Sequence, residues 1–412
     1  NGLAVCYQRA NHLAEAKAFY LKSKRIAEEK LGPVSTDLAM CLNNLSSISR
    51  AEENYREAIQ YSEQALKISR ALKDEQGVSS AYYALGVYHY FLGDYGRTKD
   101  YMEACIAIRK QLFSEDHFSL INPYEVLGIA HEESGDYQKT LFYLKQAGAL
   151  VKANYPEGSL REGQNYENTA LVYKSLEKLD TALLYIQRAN TILSRQLPAN
   201  DYALSVHYFS YANILYRLNR LSEAEQRLQQ SNRIFNALGI TNSTEYAQNL
   251  GLRALLAAEQ ENWTAADADF ETALDIIRQP ATSASAEPDF QTTPNALWLL
   301  NEYMDYQYRK YQLTGAAAAL QRFETYSQVY LDLSDDFRKQ FIDPYTKSVL
   351  IKDNAEVYER NIGIYQQLYH KTRKTDYLNT AYAFSENGRT ALLRDMLDAK
   401  VVAYAGLPDS VL

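Results

Sequence analysis

The residues best suited to chemistry form the run His131-Glu132-Glu133-Ser134-Gly135. It begins as a zinc-binding His-Glu-x-x-His helix begins, but Gly135 stands where the second histidine ligand is required. His89 lies 42 residues before His131, so the two occupy equivalent places in the chain and their side chains could approach on adjacent helices. No third ligand with metal spacing accompanies them, and the expectation is that each replaces a tyrosine such as Tyr7 or Tyr173. Cys6, Cys41 and Cys105 sit among apolar neighbours and are expected to be inert core or interface thiols. The chain has no Gly-x-Ser-x-Gly elbow, phosphate loop or Gly-x-Gly-x-x-Gly fingerprint. Neither catalysis nor a metal or other cofactor is expected.

The balance of 43 Lys plus Arg against 51 Asp plus Glu gives a net charge of -8 and no basic block, which argues against nucleic acid as a partner. Apolar runs such as ALWLL and GAAAAL are far shorter than the roughly 18 residues that span a bilayer, so no membrane insertion is expected. Three cysteines, an odd and small number, do not suggest a disulfide framework and favour a reducing, cytoplasmic location. The opening NGLAVCYQRA lacks a Met, a basic start and an apolar signal core and reads as the middle of a helix, so the natural N-terminus is expected to be missing.

Positioning comes from a repeat. NHLAEAK, ENYREAI, GDYGRTK, GDYQKTL, EKLDTAL, NRLSEAE and ENWTAAD centre on Leu13, Tyr55, Tyr95, Tyr137, Leu179, Leu221 and Trp263, spaced by 42, 40, 42, 42, 42 and 42 residues. Three residues after each centre stands a small side chain (Ala16, Ala58, Thr98, Thr140, Ala182, Ala224, Ala266), and seven further on another (Ser23, Ala65, Cys105, Ala147, Ala189, Ser231, Ala273). Nine residues before each centre stands a third (Ala4, Ser46, Gly86, Gly128, Ala170, Ala212, Ala254). Small residues in register mark close approach of helix backbones. Gly93-Asp94, Gly135-Asp136 and Asn219-Arg220 supply turns that tolerate the left-handed conformation, so each unit is a helix, a tight turn and a second helix. Tyr82, Tyr124, Tyr166 and Tyr208 share one place in the repeat and are expected to pack in the core.

Small residue, Gly-Asp-Tyr, Ala and Ala at these offsets resemble the tetratricopeptide repeat. The period near 42 and the stretch Glu28 to Ile48 are similar to the longer-helix variety of kinesin light chains. The resemblance covers residues 1–278 as seven helix pairs, the first truncated, and implies an all-α fold of antiparallel pairs stacked as a right-handed superhelical solenoid. Residues 279–294, with three prolines and a small polar run, read as a flexible linker or insertion. Residues 295–412 read as degenerate helical repeats, with helices near 295–313, 316–333, 337–351, 353–372 and 376–403.

In such arrays the first helices line a concave groove that takes a peptide or protein partner. The helical wheel places there Asn43, Asn44, Ser47 and Arg50, then Tyr83, Val87, Tyr90 and Phe91. Glu125, Ile129, Glu132 and Glu133 follow, then Glu167, Asn168, Leu171 and Lys174, and finally Phe209, Asn213, Tyr216 and Arg217. Asparagine amides can bond both donors and acceptors of a peptide backbone, and aromatics offer apolar area at small entropic cost. Asn44 in LNNL matches the groove asparagines of kinesin light chains. The basic clamp of chaperone-binding relatives is absent, because this surface is acidic or neutral in most units.

From Ala383 onward the sequence resembles the junction between tetratricopeptide arrays and CHAT domains, the caspase-like peptidase modules of bacteria. The matching positions are Phe384, Glu386, Arg389, Leu392, Leu393, Leu397, Gly406, Pro408 and Asp409, with Asn387-Gly388 a departure. The resemblance implies a scaffold that regulates or positions its own C-terminal peptidase domain, whose His and Cys would lie beyond this chain. The alternative is a stand-alone adaptor, or the sensor arm of another bacterial signalling protein such as a histidine kinase.

Overall fold

The computed structural model describes residues 2–9, 12–52, 54–279, 289–339 and 355–389, which fall into two compact units, one running to Glu157 and the other beginning at Gly158. Among the described residues the fold is all-α apart from one short strand pair. In the first unit the helices are α1 (Gly2–Arg9), α2 (Leu13–Leu31), α3 (Thr36–Ala51), α4 (Tyr55–Leu72), α5 (Glu75–Phe91), α6 (Tyr95–Leu112), α7 (Ile121–Glu132) and α8 (Tyr137–Asn154). In the second they are α9 (Leu160–Ser175), α10 (Leu179–Gln196), α11 (Tyr202–Arg217), α12 (Leu221–Leu238), α13 (Thr244–Glu259), α14 (Trp263–Ile277), α15 (Pro294–Thr314), α16 (Ala317–Lys339), α17 (Ala355–Thr372) and α18 (Thr375–Arg389). Each odd-numbered helix packs antiparallel on the even-numbered one that follows it.

The turn within a pair is built the same way nearly every time. Gly93, Gly135, Glu177, Asn219 and Glu261, 42 residues apart, all have positive φ, between 57° and 69°. This reverses the chain after the first helix and frees the next residue to cap the second. Asp94, Asp136 and Asn262 accept from the backbone N–H groups of Arg97, Lys139 and Ala265 at 3.1, 3.2 and 3.2 Å, while Lys178 and Arg220 make no such bond. First helices are capped too, by Ser35, Asp74, Ser159, Asp201, Ser243 and Thr293.

The small residues in register lie where the paired helices meet. Ala58, Thr98, Thr140, Ala182, Ala224 and Ala266 are fully buried, as are Ala65, Cys105, Ala147, Ala189, Ser231 and Ala273. Ser23, in the first pair, is only half-buried. Larger side chains fill the space between pairs: Met102, Leu120, Ile121, Leu127 and Val151 in the first unit, and Leu193, Leu204, Tyr208 and Ile234 in the second. Burying each such side chain contributes about 1.5–3 kcal/mol.

Three of the four expected packing tyrosines belong to a ring stack that recurs in three successive pairs, with Tyr82 and Tyr166 half-buried, while the fourth, Tyr208, is buried in the core of the second unit. A tyrosine of the second helix (Tyr101, Tyr143, Tyr185) contacts one of the first (Tyr82, Tyr124, Tyr166) at 5.8, 6.0 and 6.0 Å between ring centroids. It also stacks on a second ring of that first helix, His89, His131 or Tyr173, at 5.5, 5.4 and 5.5 Å. The two histidines thus stand in the tyrosine slot. Each is also near the aspartate that opens the next helix, His89 Nδ1 3.3 Å from Asp94 and His131 Nδ1 3.6 Å from Asp136.

Beyond α14 the stretch read as a linker has paired ends. Two-residue strands β1 (Arg278–Gln279) and β2 (Asp289–Phe290) are antiparallel, and the Phe290 ring is buried with the Arg278 guanidinium above it. A break expected between residues 333 and 337 does not occur: α16 runs through it, with Ser334 buried and hydrogen-bonded to Tyr358 of α17 at 2.7 Å. The proposed junction residues Leu392, Leu393, Leu397, Gly406, Pro408 and Asp409 lie outside the described residues, as does the side chain of Arg389. Phe384 is fully buried on α18, 6.0 Å from the Tyr365 ring. No helix among the described residues is long and apolar enough to cross a membrane.

Candidate partner-binding faces

On each first helix the residues three before the small residue and one, four and five after it form one stripe, turned roughly a quarter of the way round the helix from the small residue. In the first unit, α3 carries Asn43, Asn44 and Ser47 half-buried and Arg50 exposed, beside the buried Leu42, Leu45 and Ile48. On α5, Tyr83, Val87 and Tyr90 are half-buried and Phe91 is 49% exposed. On α7, Glu125, Ile129, Glu132 and Glu133 are half-buried.

The helices that carry these rows touch one another beneath them. Ser46 of α3 donates to the Tyr88 hydroxyl of α5 at 2.7 Å, and Tyr83 and Val87 pack against the core cluster that includes Leu127 of α7. The Arg109 guanidinium of α6 lies 5.4 Å from the Tyr83 ring. Phe91 stacks on Tyr55 at 4.9 Å and meets Tyr90 edge-on at 5.6 Å. Tyr90 in turn lies 5.5 Å from Tyr95, whose hydroxyl donates to Glu133 at 3.4 Å. Burial, with Glu133 and Glu132 nearby, pushes the Tyr90 phenol well above its usual range.

In the second unit, Glu167, Asn168, Leu171 and Lys174 of α9 are half-buried. Glu167 is 2.9 Å from the buried His207 of α11, and so is tied into that helix. Phe209 and Tyr216 are half-buried and Arg217 exposed, whereas Asn213 is 8% exposed and offers little surface. Arg217 bonds Glu177 and the Lys174 carbonyl, while Tyr216 donates to Glu259 at 3.4 Å.

The same face continues through residues that the sequence reading did not single out. Glu259 of α13 accepts from Arg309 of α15 at 3.0 Å. Gly251 on α13 leaves room for Trp298 and Leu299, and the Trp298 indole meets Phe209 edge-on at 6.1 Å. Asp305 and Arg360 pair at 2.7 Å, with Glu302 one turn before Asp305. Burial and Asp305 push the Glu302 carboxyl up to about 7, against Arg360 and Arg217; burial raises Asp305 to about 6. Glu259 had a signal, since it stands five residues after Ala254 as Arg217 does after Ala212. Trp298 and Glu302 had none, because the series of repeat centres ends at Trp263.

Among the described residues no group of three or more His, Cys, Asp or Glu could hold a metal ion. Cys41 and Cys105 are buried and Cys6 is exposed, so the expectation of a core or interface position leaves Cys6 on the surface. Burial pushes the Cys105 thiol up to about 11, which disfavours a reactive thiolate.

The tetratricopeptide repeat family matches residues 1–71 and 77–153, which carry α1 to α8. The chain folds as a tetratricopeptide repeat array. No curated protein matches the sequence. Among solved structures, a Rap protein complexed with competence and sporulation factor is 13% identical, with 95% of this chain and 98% of that one covered and a TM-score of 0.53. A signal transduction ATPase with a tetratricopeptide repeat sensor from Pyrococcus horikoshii is 16% identical over 66% of this chain and 40% of its own, with a TM-score of 0.54. A kinesin light chain from Podosopora anserina with nearly identical TPR-like repeats is 16% identical over 48% of this chain and 94% of its own, at 0.43. At these identities the likeness to the first two is one of fold.

Proposed function

We propose that this tetratricopeptide array is a non-catalytic scaffold that binds a peptide or protein partner on the outward faces of its first helices. The observation that carries this reading is the alternation within α5. Ala81, Leu85 and Tyr88 are buried, while Tyr83, Val87, Tyr90 and Phe91 at the repeat's outward slots keep part of their surface open. Large aromatics left half-open in a row are binding surface by composition. A Rap protein of similar fold is complexed with competence and sporulation factor, which gives the reading a parallel.

The partner-contacting residues proposed are Asn43, Asn44, Ser47, Arg50, Tyr83, Val87, Tyr90, Glu125, Ile129 and Glu132 in the first unit. In the second they are Asn168, Lys174, Tyr216 and Arg217, the sequence-expected Asn213 being set aside because it is buried. A pull-down with the intact chain, followed by titration of a synthetic peptide from the recovered partner, tests this. Asn44→Ala and Phe91→Ala should weaken binding by about 1–2 kcal/mol each and leave the melting curve nearly unchanged. Equal loss of binding and folding would make these residues structural and defeat the reading.

The finer reading is that the array regulates or positions a C-terminal caspase-like peptidase of the CHAT class. It is supported by the tail sequence alone, at Phe384, Glu386, Leu392, Leu393, Gly406, Pro408 and Asp409. The sequence encoded after Leu412 decides it: a domain without a His and Cys pair would remove the peptidase. Coiled-coil and kinase motifs there would favour the sensor-arm alternative, a use paralleled by the sensor of the Pyrococcus horikoshii signal transduction ATPase.

A further inference from the structure

The second unit holds a carboxylate that the chain itself does not pair. Glu302 of α15 is half-buried, and among the described residues no hydrogen bond or ion pair reaches its carboxyl. The arginines of the surrounding helices are committed to other acceptors. Arg360 of α17 bonds Asp305 at 2.7 Å and Asn301 at 2.5 Å, Arg217 of α11 bonds Glu177 and the Lys174 carbonyl, and Arg309 of α15 bonds Glu259 of α13. Tyr216 of α11 is close enough for Glu302 to disfavour its phenolate, yet its hydroxyl donates to Glu259. Paired off in this way, the three arginines leave the Glu302 charge uncompensated, and burial followed by the Asp305 charge holds its pKa up at about 7. Four residues before Glu302 on the same face of α15, the half-buried Trp298 ring lies against Gly251 and meets Phe209 edge-on.

We propose that Glu302 receives an ammonium group of a bound peptide, from a lysine side chain or a free N-terminus, with Trp298 beside its carbon stem. An ammonium carries donors and no acceptor, and it is compact enough to reach a half-buried carboxyl. It supplies the charge-assisted hydrogen bonds that the chain's own arginines direct to other acceptors. Partial burial makes such a bond stronger than the same bond in open water. A peptide carboxylate at this place meets Glu302 and Asp305 instead, so the subsite discriminates by repulsion as well as attraction.

The inference rests on the proposed peptide-binding face, and its test separates the two. The intact chain is incubated with randomised synthetic peptides of equal length, built without arginine, and the retained peptides are sequenced. Each library is made with its N-terminus free or acetylated and its lysines free or acetylated. Peptides lacking any ammonium should bind about tenfold more weakly than those that carry one. Loss on capping the N-terminus alone identifies the terminus as the source, and loss on acetylating lysine alone identifies the side chain. Affinity for a lysine-anchored peptide should rise about fourfold from pH 6.5 to 8 as Glu302 loses its proton, whereas a terminus-anchored peptide loses its own proton near pH 8. Glu302→Gln should remove both the ammonium preference and the rise. Equal retention of fully acetylated peptides, or an undiminished preference in Glu302→Gln, overturns the subsite and leaves the binding face standing. If no peptide of any form is retained, both fall. The acetylation comparison uses the native chain, so it decides the matter whether or not the variant folds.

Discussion

The imidazole of His131 lies on the Tyr143 ring with planes 21° apart, the place that Tyr173 takes on Tyr185 one period later. A histidine in a tyrosine slot is a packing ring with a titratable edge. Burial, with Lys99 and Lys139 nearby, holds its pKa down at about 4, against 6.5 when unperturbed. The unfolded chain therefore takes the proton first, and stability should fall as pH drops from about 6.5 toward 4, by about 2 kcal/mol. His131→Tyr should flatten that part of the pH profile in urea melts. An unchanged acid limb would place the sensitivity elsewhere.

Glu302 should act in the opposite direction. Its carboxyl is held up to about 7, so the folded state keeps a proton that the unfolded state loses near 4.5. Stability from this group is present below 4.5 and lost as pH rises through 7. Glu302→Gln should match the native chain at pH 4.5 and exceed it at pH 8 by about 1–2 kcal/mol, the figure being reduced for partial exposure. Melting midpoints at the two pH values check this, and equal shifts at both would contradict it.

Gly251 lies mid-helix on α13, where Ala would ordinarily be preferred by about 1 kcal/mol. A Cβ there would come within 2.6 Å of the Leu299 Cδ1, and Leu299 is fully buried. Gly251→Ala should be close to neutral, because the helix preference offsets the crowding. Gly251→Val should cost about 1–3 kcal/mol and disturb the Phe209–Trp298 contact, visible as a change in tryptophan fluorescence.

Glu261 occupies the left-handed turn position that glycine fills at Gly93 and Gly135, with φ 57°. A residue with a Cβ pays about 1 kcal/mol or more there. Glu261→Gly should stabilise the second unit by about 0.5–1 kcal/mol, the gain being limited by the freer unfolded chain. Equal or lower stability would mean that the glutamate side chain contributes contacts that outweigh the backbone strain.

These glutamates show where sequence and structure part. The period, the small residues and the Gly-Asp turns were legible because each is a steric requirement met by few residue types. Glu177 and Glu261 reveal their conformation only through register, since nothing in glutamate favours it. The ring stacks were half-legible: Tyr82, Tyr124 and Tyr166 stood out, but Tyr101, Tyr143 and Tyr185 lie on second helices and their role needs both helices in place. The expected break before Phe337 is absent because Ser334, followed by Asp335 and Asp336, stays in the helix with its hydroxyl bonded to Tyr358 of another helix. On the candidate faces the slots follow from helical geometry, while Trp298 and Glu302 lie beyond Trp263, the last repeat centre.

The recurring left-handed joint gives the chain a grammar of interchangeable clauses. Removing residues 178–219 deletes 42 residues and rejoins Glu177 to Arg220, so that a left-handed residue again meets a helix start. Such a protein can be shortened or lengthened by whole clauses without inventing a new kind of joint. Each clause carries its own row of outward residues, so a change of length is also an edit to the message that the surface can read.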